Sequence, residues 1–354
     1  MLKTIHYARG LAALLVVMFH FSFMYLGKVE PYNTIFLNGG FGVDLFFLIS
    51  GFIIAYVTKN TNTKVSHFFI KRFFRIYPLF FLILVVSCIL LERYNVHPLR
   101  SMIKSGLLIL QDYNRPAPEF DFNLIGPAWT LSYEIWFYFV FGISMLINHK
   151  HRILISSLLL MAQVFSLQYI FSGAISLNSS HVGAIGDSSY LDHIIKFFST
   201  TLHLEFIAGM WIFILFDEVK IKINKKIALI TAIILSLSSC VIYFSKLVYG
   251  SGLTQFYIIA LPVFIALITT EYCFNVYNSR MLAFLGDISF SIYITHFFIM
   301  YTLLEHPPFF WSDSNNLTKL VFSTSMAIAF AFVMHKIVEL PFIRVGKKLI
   351  NRGP

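Results

Sequence analysis

Residues 8–21 read ARGLAALLVVMFHF, and this stretch decides the fold class because only Arg9 and His20 interrupt an apolar run. Further apolar runs of about 20 residues, the length that crosses a bilayer, recur along the whole chain of 354 residues. The composition agrees, since 58% of the residues are hydrophobic and 12% are charged, whereas soluble domains carry about 25% charged residues. The sequence therefore predicts an all-α polytopic membrane protein.

The apolar runs predict a bundle of about ten transmembrane helices, which form one membrane domain over residues 1–354 with no appended soluble domain. Their approximate bounds are 5–26, 39–58, 74–92, 127–147, 152–171, 197–216, 226–246, 254–271, 284–304 and 317–338. If both termini are cytoplasmic, 18 Lys and Arg residues lie on the cytoplasmic side and 8 on the outer side, the bias that the positive-inside rule describes. Pro78 and Pro127 are placed at helix starts, where a missing N–H costs nothing.

The basic balance and the cysteines limit the partners of the chain. The net charge of +10 comes from residues that flank the spans, so we expect membrane lipid and no nucleic acid as a partner. Cys88, Cys240 and Cys273 have no paired spacing, so neither a disulfide framework nor a metal site is predicted. The sequence does not indicate an oligomeric state.

Arg9 and His20 are eleven residues apart, which is close to three helical turns. On a helix they return to within about 20° of one face and lie ~16 Å apart along the axis. Ionisable residues inside a membrane span are costly and usually functional. A cation at the membrane edge and an imidazole deeper on the same face suggest a long substrate with an anionic head at one end and its reactive group at the other.

Three ionisable residues on three different spans share one predicted depth. Counting from the outer ends of their spans, His20, Asp44 and Glu134 lie ~8–10 Å below the outer boundary, at 1.5 Å per residue. An imidazole beside a carboxylate is the arrangement that general-base catalysis needs. We therefore predict that His20 is a general base oriented by Asp44 or Glu134. The alternative is that each group is satisfied separately inside the bundle.

A basic cluster is predicted at the cytoplasmic boundary. Arg72 and Arg75 are helix-surface neighbours because they are three residues apart, and Arg9 lies at the same boundary. Three guanidinium groups can hold a phosphate-rich ligand through forked hydrogen bonds. The alternative, which the spacing alone favours, is ordinary anchoring to lipid headgroups.

Five further polar residues fall within or at the ends of predicted spans. His203, Glu205 and His296 are either substrate contacts or packing groups, and we favour packing. His335 and Glu339 lie at the inner end of the last span, where we expect a structural role such as pairing with a nearby arginine.

The same residues carry a resemblance to the membrane acyltransferase-3 family. The pair Arg9 and His20 is similar to its R-x10-H element, and five more segments resemble its motifs in the same order. These are FGVDLFFLISGF at 41–52, KRFFRIYP at 71–78, PAWTLSYE at 127–134, GDISFSIYITH at 286–296 and VELPF at 338–342. Within the family, the chain looks most like bacterial O-acetyltransferases that modify exopolysaccharides and O-antigens.

The resemblance implies a ten-helix protein of the inner membrane that transfers an acyl group, with acetyl favoured, from cytoplasmic acyl-CoA. The acceptor is a hydroxyl of a surface polysaccharide or a lipid-linked glycan. Arg9, Arg72 and Arg75 would hold the CoA phosphates, and the pantetheine arm would extend toward His20. Direct transfer and a covalent acyl-histidine relay both stay open. The rival function is a transporter or glycolipid flippase, because buried charges also mark transport paths.

Overall fold

The computed structural model describes residues 2–25, 35–59, 63–90, 98–219, 223–245 and 247–352. Within these ranges the chain is helical and contains no β-strand. The fourteen α-helices in the described ranges are α1 Lys3–Tyr25, α2 Gly42–Val57, α3 Val65–Leu90, α4 Pro98–Gly106, α5 Trp129–Ile147, α6 Arg152–Ser172, α7 Tyr190–Phe198, α8 Glu205–Phe213, α9 Lys225–Ser245, α10 Tyr257–Cys273, α11 Arg280–Asp287, α12 Ser289–Glu305, α13 Asn316–Met334 and α14 Leu340–Arg352. Short 3₁₀ segments at Leu37–Phe41, Gly126–Ala128 and Thr201–Leu204 lead into α2, α5 and α8.

The all-α polytopic fold class is confirmed, and each of the ten predicted segments contains helix. In the described part of the chain, eight helical stretches are long and apolar enough to cross a membrane, and the pair α11 and α12, bent by 66°, makes a ninth. The predicted span 254–271 corresponds to α10, which is shorter at 17 residues. The predicted span ends at 26, 91–92 and 246 lie outside the described residues. The cytoplasmic placement of both termini stays a prediction.

One predicted helix start is wrong. The third span begins at Val65 rather than at 74, so Pro78 lies well inside α3 instead of at its beginning. Proline removes one backbone hydrogen bond from a helix, a loss that membrane helices tolerate. As a result, Arg72 and Arg75 lie within the continuous helix α3. Pro127 does lie in the 3₁₀ turn that begins α5.

The tightest helix crossing joins α2 and α8. A Cβ atom on Gly51 would overlap the backbone carbonyl of Phe206, and one on Gly209 would overlap that of Leu48. The two backbones therefore touch, which small residues permit at helix interfaces in membranes. This crossing fixes which face of α2 turns toward α8, and hence where Asp44 points.

Candidate functional site

The predicted basic residues and one of the predicted carboxylates line a single cavity. It has a volume of about 420 Å³, within the range of about 300–1,000 Å³ that small-molecule sites occupy. Arg9 comes from α1, Arg72 and Arg75 from α3, and Glu134 from α5. Much of the remaining wall is apolar and includes Phe47 on α2. The structure therefore gathers four residues that are distant in sequence around one space.

The three guanidinium groups are available for a ligand. Within the described ranges, none of Arg9, Arg72 and Arg75 has a hydrogen bond or an ion pair with another residue, and the Nε atom of Arg72 is buried without a partner. The Arg72 guanidinium lies over the ring of Tyr138 at 5.5 Å. Glu134 is the only carboxylate among the described lining residues, so positive charge predominates in the cavity.

Glu134 is held on the arginine side of the molecule. Its Oε1 atom accepts a hydrogen bond from Ser50 Oγ at 2.9 Å and another from the hydroxyl of Tyr138. It makes no hydrogen bond to His20. The carboxylate therefore belongs to the wall of the arginine cavity, and the structure does not support its predicted role in orienting His20.

His20 instead pairs with another histidine. Its Nδ1 atom lies 3.2 Å from Nε2 of His296 on α12, and the edge of Phe297 packs against its ring at 4.8 Å between centroids. The ring of His20 is half-buried, whereas His296 is fully buried. No carboxylate contacts this pair among the described residues. His296 was interpreted as a packing group, and the structure makes it the direct partner of His20.

The predicted pairing of His20 with Asp44 is wrong. Asp44 is completely buried, and its Oδ1 atom accepts a hydrogen bond from the backbone N–H of Gly252 at 2.8 Å. Its carboxyl group also faces that of Glu205 on α8. The depth of Asp44 was predicted from its place in the span, but the α2–α8 crossing turns its face of α2 away from α1.

Tyr293 connects the cavity to the histidine pair. It lines the cavity, and its ring lies 6.1 Å from the ring of His296, between centroids. Its hydroxyl lies 2.9 Å from Thr130 Oγ1 and donates to the carbonyl oxygen of Pro127 at 3.1 Å. His20 itself is not among the cavity-lining residues. Tyr293 therefore joins the wall of the cavity to His296.

The segment that follows α13 also places a carboxylate near two of the cavity arginines. A π-helical turn at His335–Glu339 places Glu339 Oε2 2.8 Å from His335 Nδ1, and the same oxygen accepts a hydrogen bond from Ser291 at 2.7 Å. Glu339 is close enough to Arg75 and Arg9 for electrostatic attraction. The expected structural role of His335 and Glu339 agrees with these contacts.

The structure describes a membrane-embedded protein with an electropositive cavity that approaches a histidine pair. The chain matches the family described as Acyltransferase domain over residues 2–336, and it belongs to that family. Its relatives include proteins named "Putative O-acetyltransferase" in Staphylococcus aureus strains COL and MRSA252, each 24% identical over 374 and 371 residues. The matches cover 98% and 97% of this chain but only 58% and 57% of those relatives.

Another relative has a shorter match. The "Acyltransferase MdmB" of Streptomyces mycarofaciens is 28% identical over 142 residues, which is 38% of this chain and 36% of that protein. No solved structure matches. The family assignment thus confirms the resemblance that the sequence motifs carry.

The described residues include no cluster of three or more His, Cys, Asp or Glu side chains that could hold a metal ion.

Proposed function

We propose that this chain is a membrane O-acyltransferase that moves an acyl group, with acetyl favoured, from acyl-CoA to a hydroxyl of a surface polysaccharide or a lipid-linked glycan. The observation that carries the proposal is the gathering of Arg9, Arg72 and Arg75 around a cavity that reaches Tyr293, beside the histidine pair. Membership of the acyltransferase family supports the reaction class.

The arginine cavity suits the donor. The three guanidinium groups make no hydrogen bond or ion pair in the described ranges, and guanidinium groups bind phosphate through two parallel hydrogen bonds. The phosphates of CoA would lie against Arg9, Arg72 and Arg75. The apolar wall that includes Phe47 would contact the pantetheine arm. The thioester would then lie toward Tyr293, which joins the wall of the cavity to His296.

His20 would act as the general base. The imidazole removes the proton from the acceptor hydroxyl, the acceptor oxygen attacks the thioester carbonyl carbon, and the carbon–sulfur bond breaks. The departing sulfur of CoA takes the proton back from His20, so the products are the acyl ester and free CoA. Base catalysis of this kind contributes about 10²–10⁴-fold in rate.

A relay through His20 is the second mechanism. A nitrogen of the imidazole would attack the thioester carbonyl carbon, and the carbon–sulfur bond would break as CoA leaves as a thiolate. The acceptor oxygen would then attack the acyl carbon, the carbon–nitrogen bond would break, and the hydroxyl proton would pass through solvent to the CoA sulfur. This variant would suit an acceptor that is reached only from the outer side, because donor and acceptor then need not be bound together.

The proposal is tested by mass spectrometry of surface glycan from cells that carry the chain, lack it, or carry the His20→Ala variant. We expect an added mass of one acyl group only with the unchanged chain. A glycan that changes in amount but never in acyl mass would contradict the proposal and favour the transporter function. The mass difference also identifies the acyl group.

A further inference from the structure

The hydrogen bonds of His296 fix the position of its proton. Its Nδ1 atom lies 3.2 Å from the backbone carbonyl oxygen of Ile292, one helical turn earlier. A carbonyl oxygen can only accept, so Nδ1 must carry the hydrogen. In a neutral imidazole the other nitrogen, Nε2, is then an acceptor.

The proton position of His296 determines that of His20. The Nε2 atom of His296 lies 3.2 Å from Nδ1 of His20, and an acceptor on one side of this contact requires a donor on the other. His20 therefore carries its hydrogen on Nδ1. The opposite arrangement would set the bare Nδ1 lone pair of His296 against the Ile292 oxygen, which is repulsive.

The remaining nitrogen of His20 is free. Its Nε2 atom has no hydrogen-bond partner within the described ranges and is not among the buried polar atoms, in keeping with the half-buried ring. The other side chains around the ring, Phe19 and Phe297, are apolar. The Nε2 atom of His20 is therefore the nitrogen of this pair that has no partner among the described residues, and the ring that carries it is partly exposed.

We infer that His296 is a positioning residue, which holds His20 in the tautomer whose Nε2 lone pair is available to the acceptor hydroxyl. This inference rests on the proposed function. When Nε2 takes the hydroxyl proton, His20 becomes a cation, and its Nδ1–H bond to His296 becomes charge-assisted and stronger. The proton on Nδ1 stays in place, and Nε2 later gives its proton to the CoA sulfur. A neutral histidine thus does here what a carboxylate does in the Ser-His-Asp triad.

Two substitutions at His296 separate positioning from packing. In His296→Gln the side-chain carbonyl can still accept from His20 Nδ1–H, so we expect kcat to stay within about tenfold of the unchanged protein. In His296→Leu no acceptor remains, and we expect kcat to fall by about 10²-fold or more, with an unchanged KM for acyl-CoA. Equal losses in both variants, or full activity of a folded His296→Leu protein, would overturn the inference.

Nitrogen NMR of histidine-labelled protein in lipid gives a readout that does not need activity. We expect the His20 hydrogen on Nδ1, with the signal assigned by its loss in His20→Ala. His203 is a matched internal control, because its Nε2 lies 3.1 Å from the carbonyl oxygen of Phe197 and its Nδ1 is buried without a partner. It should show the opposite tautomer.

The two readouts distinguish two kinds of failure. A His20 hydrogen on Nε2 in the unchanged protein would contradict the role of His296 while leaving the acyltransferase proposal intact. Undiminished acyl transfer by His20→Ala would instead contradict the proposed function. If His296→Leu does not fold, the tautomer of the unchanged protein and the kcat of His296→Gln decide the question.

Discussion

Two polar pairs inside the bundle, one formed by His20 and the other by Asp44, differ in their exposure. His20 and His296 join α1 to α12, and the His20 ring is half-buried with one nitrogen unpaired. Asp44 and Glu205 join α2 to α8 and are completely buried. In the described structure, Asp44 Oδ2 and both carboxyl oxygens of Glu205 have no donor, and two facing carboxyl groups can form a hydrogen bond only if one is protonated.

This difference suggests different roles for the two pairs. A base must reach a substrate, and of the two pairs the histidine pair is the one with a partly exposed side chain. The carboxyl pair is completely buried, and Asp44 is also held by the hydrogen bond from the backbone N–H of Gly252. We therefore expect substitutions in the histidine pair to change the chemical step and those in the carboxyl pair to change stability.

The largest expected effect is that of His20→Ala. Loss of the base should lower the rate of acyl transfer by about 10²–10⁴-fold or more, measured with purified protein, acyl-CoA and acceptor glycan. Insertion should be near normal, because removing a polar group from a membrane helix does not raise the insertion cost. Substantial transfer by a well-expressed His20→Ala protein would mean that His20 is not the general base.

Substitution of Arg72 or Arg75 should change the binding of the acyl-CoA donor rather than the chemical step. Arg72→Ala and Arg75→Ala each remove charged hydrogen bonds worth about 1.5–3 kcal/mol, so the KM for acyl-CoA should rise about tenfold or more. Lysine at either position should restore this only partly, because lysine lacks the planar fork. The measurement is the dependence of initial rate on acyl-CoA concentration.

Lys71→Ala is the matched control for these arginine variants. Lys71 is an exposed neighbour on α3 that does not line the cavity, so its replacement should leave the KM unchanged. An equal change of KM in all three variants, or no change in the arginine variants, would contradict a role in donor binding. It would favour the alternative that Arg72 and Arg75 anchor the chain to lipid headgroups.

Substitution of the carboxyl pair should have the smallest effect on catalysis. Asp44→Ala leaves the buried Gly252 N–H without an acceptor, which should cost about 1–3 kcal/mol of stability, read from unfolding in detergent. Asp44→Asn keeps an acceptor for Gly252 and can donate to Glu205, so it should stay close to the unchanged protein in both stability and kcat. If Asp44→Asn folds but is inactive, Asp44 and Glu205 take part in the reaction, and the expected difference between the two pairs is wrong.

Features set by topology alone could be predicted from the sequence. Arg9 lies near the start of α1, and Arg72 and Arg75 lie in the first half of α3. If α1 and α3 run in the same direction across the bundle, these residues come to the same end whatever the detailed packing. The fold class followed for a similar reason, because an apolar run long enough to cross a bilayer has few alternatives.

Features set by rotation about a helix axis could not be predicted. The depth of a residue in the membrane follows from its position along the span. The direction of the Asp44 side chain depends instead on which helix packs against α2, and one sequence does not predict that contact. His296 was interpreted as packing, because its partnership with His20 requires α1 to contact α12, a contact that the sequence alone does not show. The signal that could have found it was a second intramembrane histidine in a segment that carries a family motif.

The close crossing of α2 and α8, where Gly51 meets Phe206 and Gly209 meets Leu48, also affects how the protein opens. Because the backbones of α2 and α8 touch there, neither side chains nor water can enter between them, and amide hydrogens at this crossing should exchange slowly with solvent. One wall of the arginine cavity is formed by α2, through Phe46, Ser50 and Ile53. We therefore expect this wall not to move during a catalytic cycle. Entry of a donor would then depend on displacement of the opposite wall, α3, which carries Arg72 and Arg75.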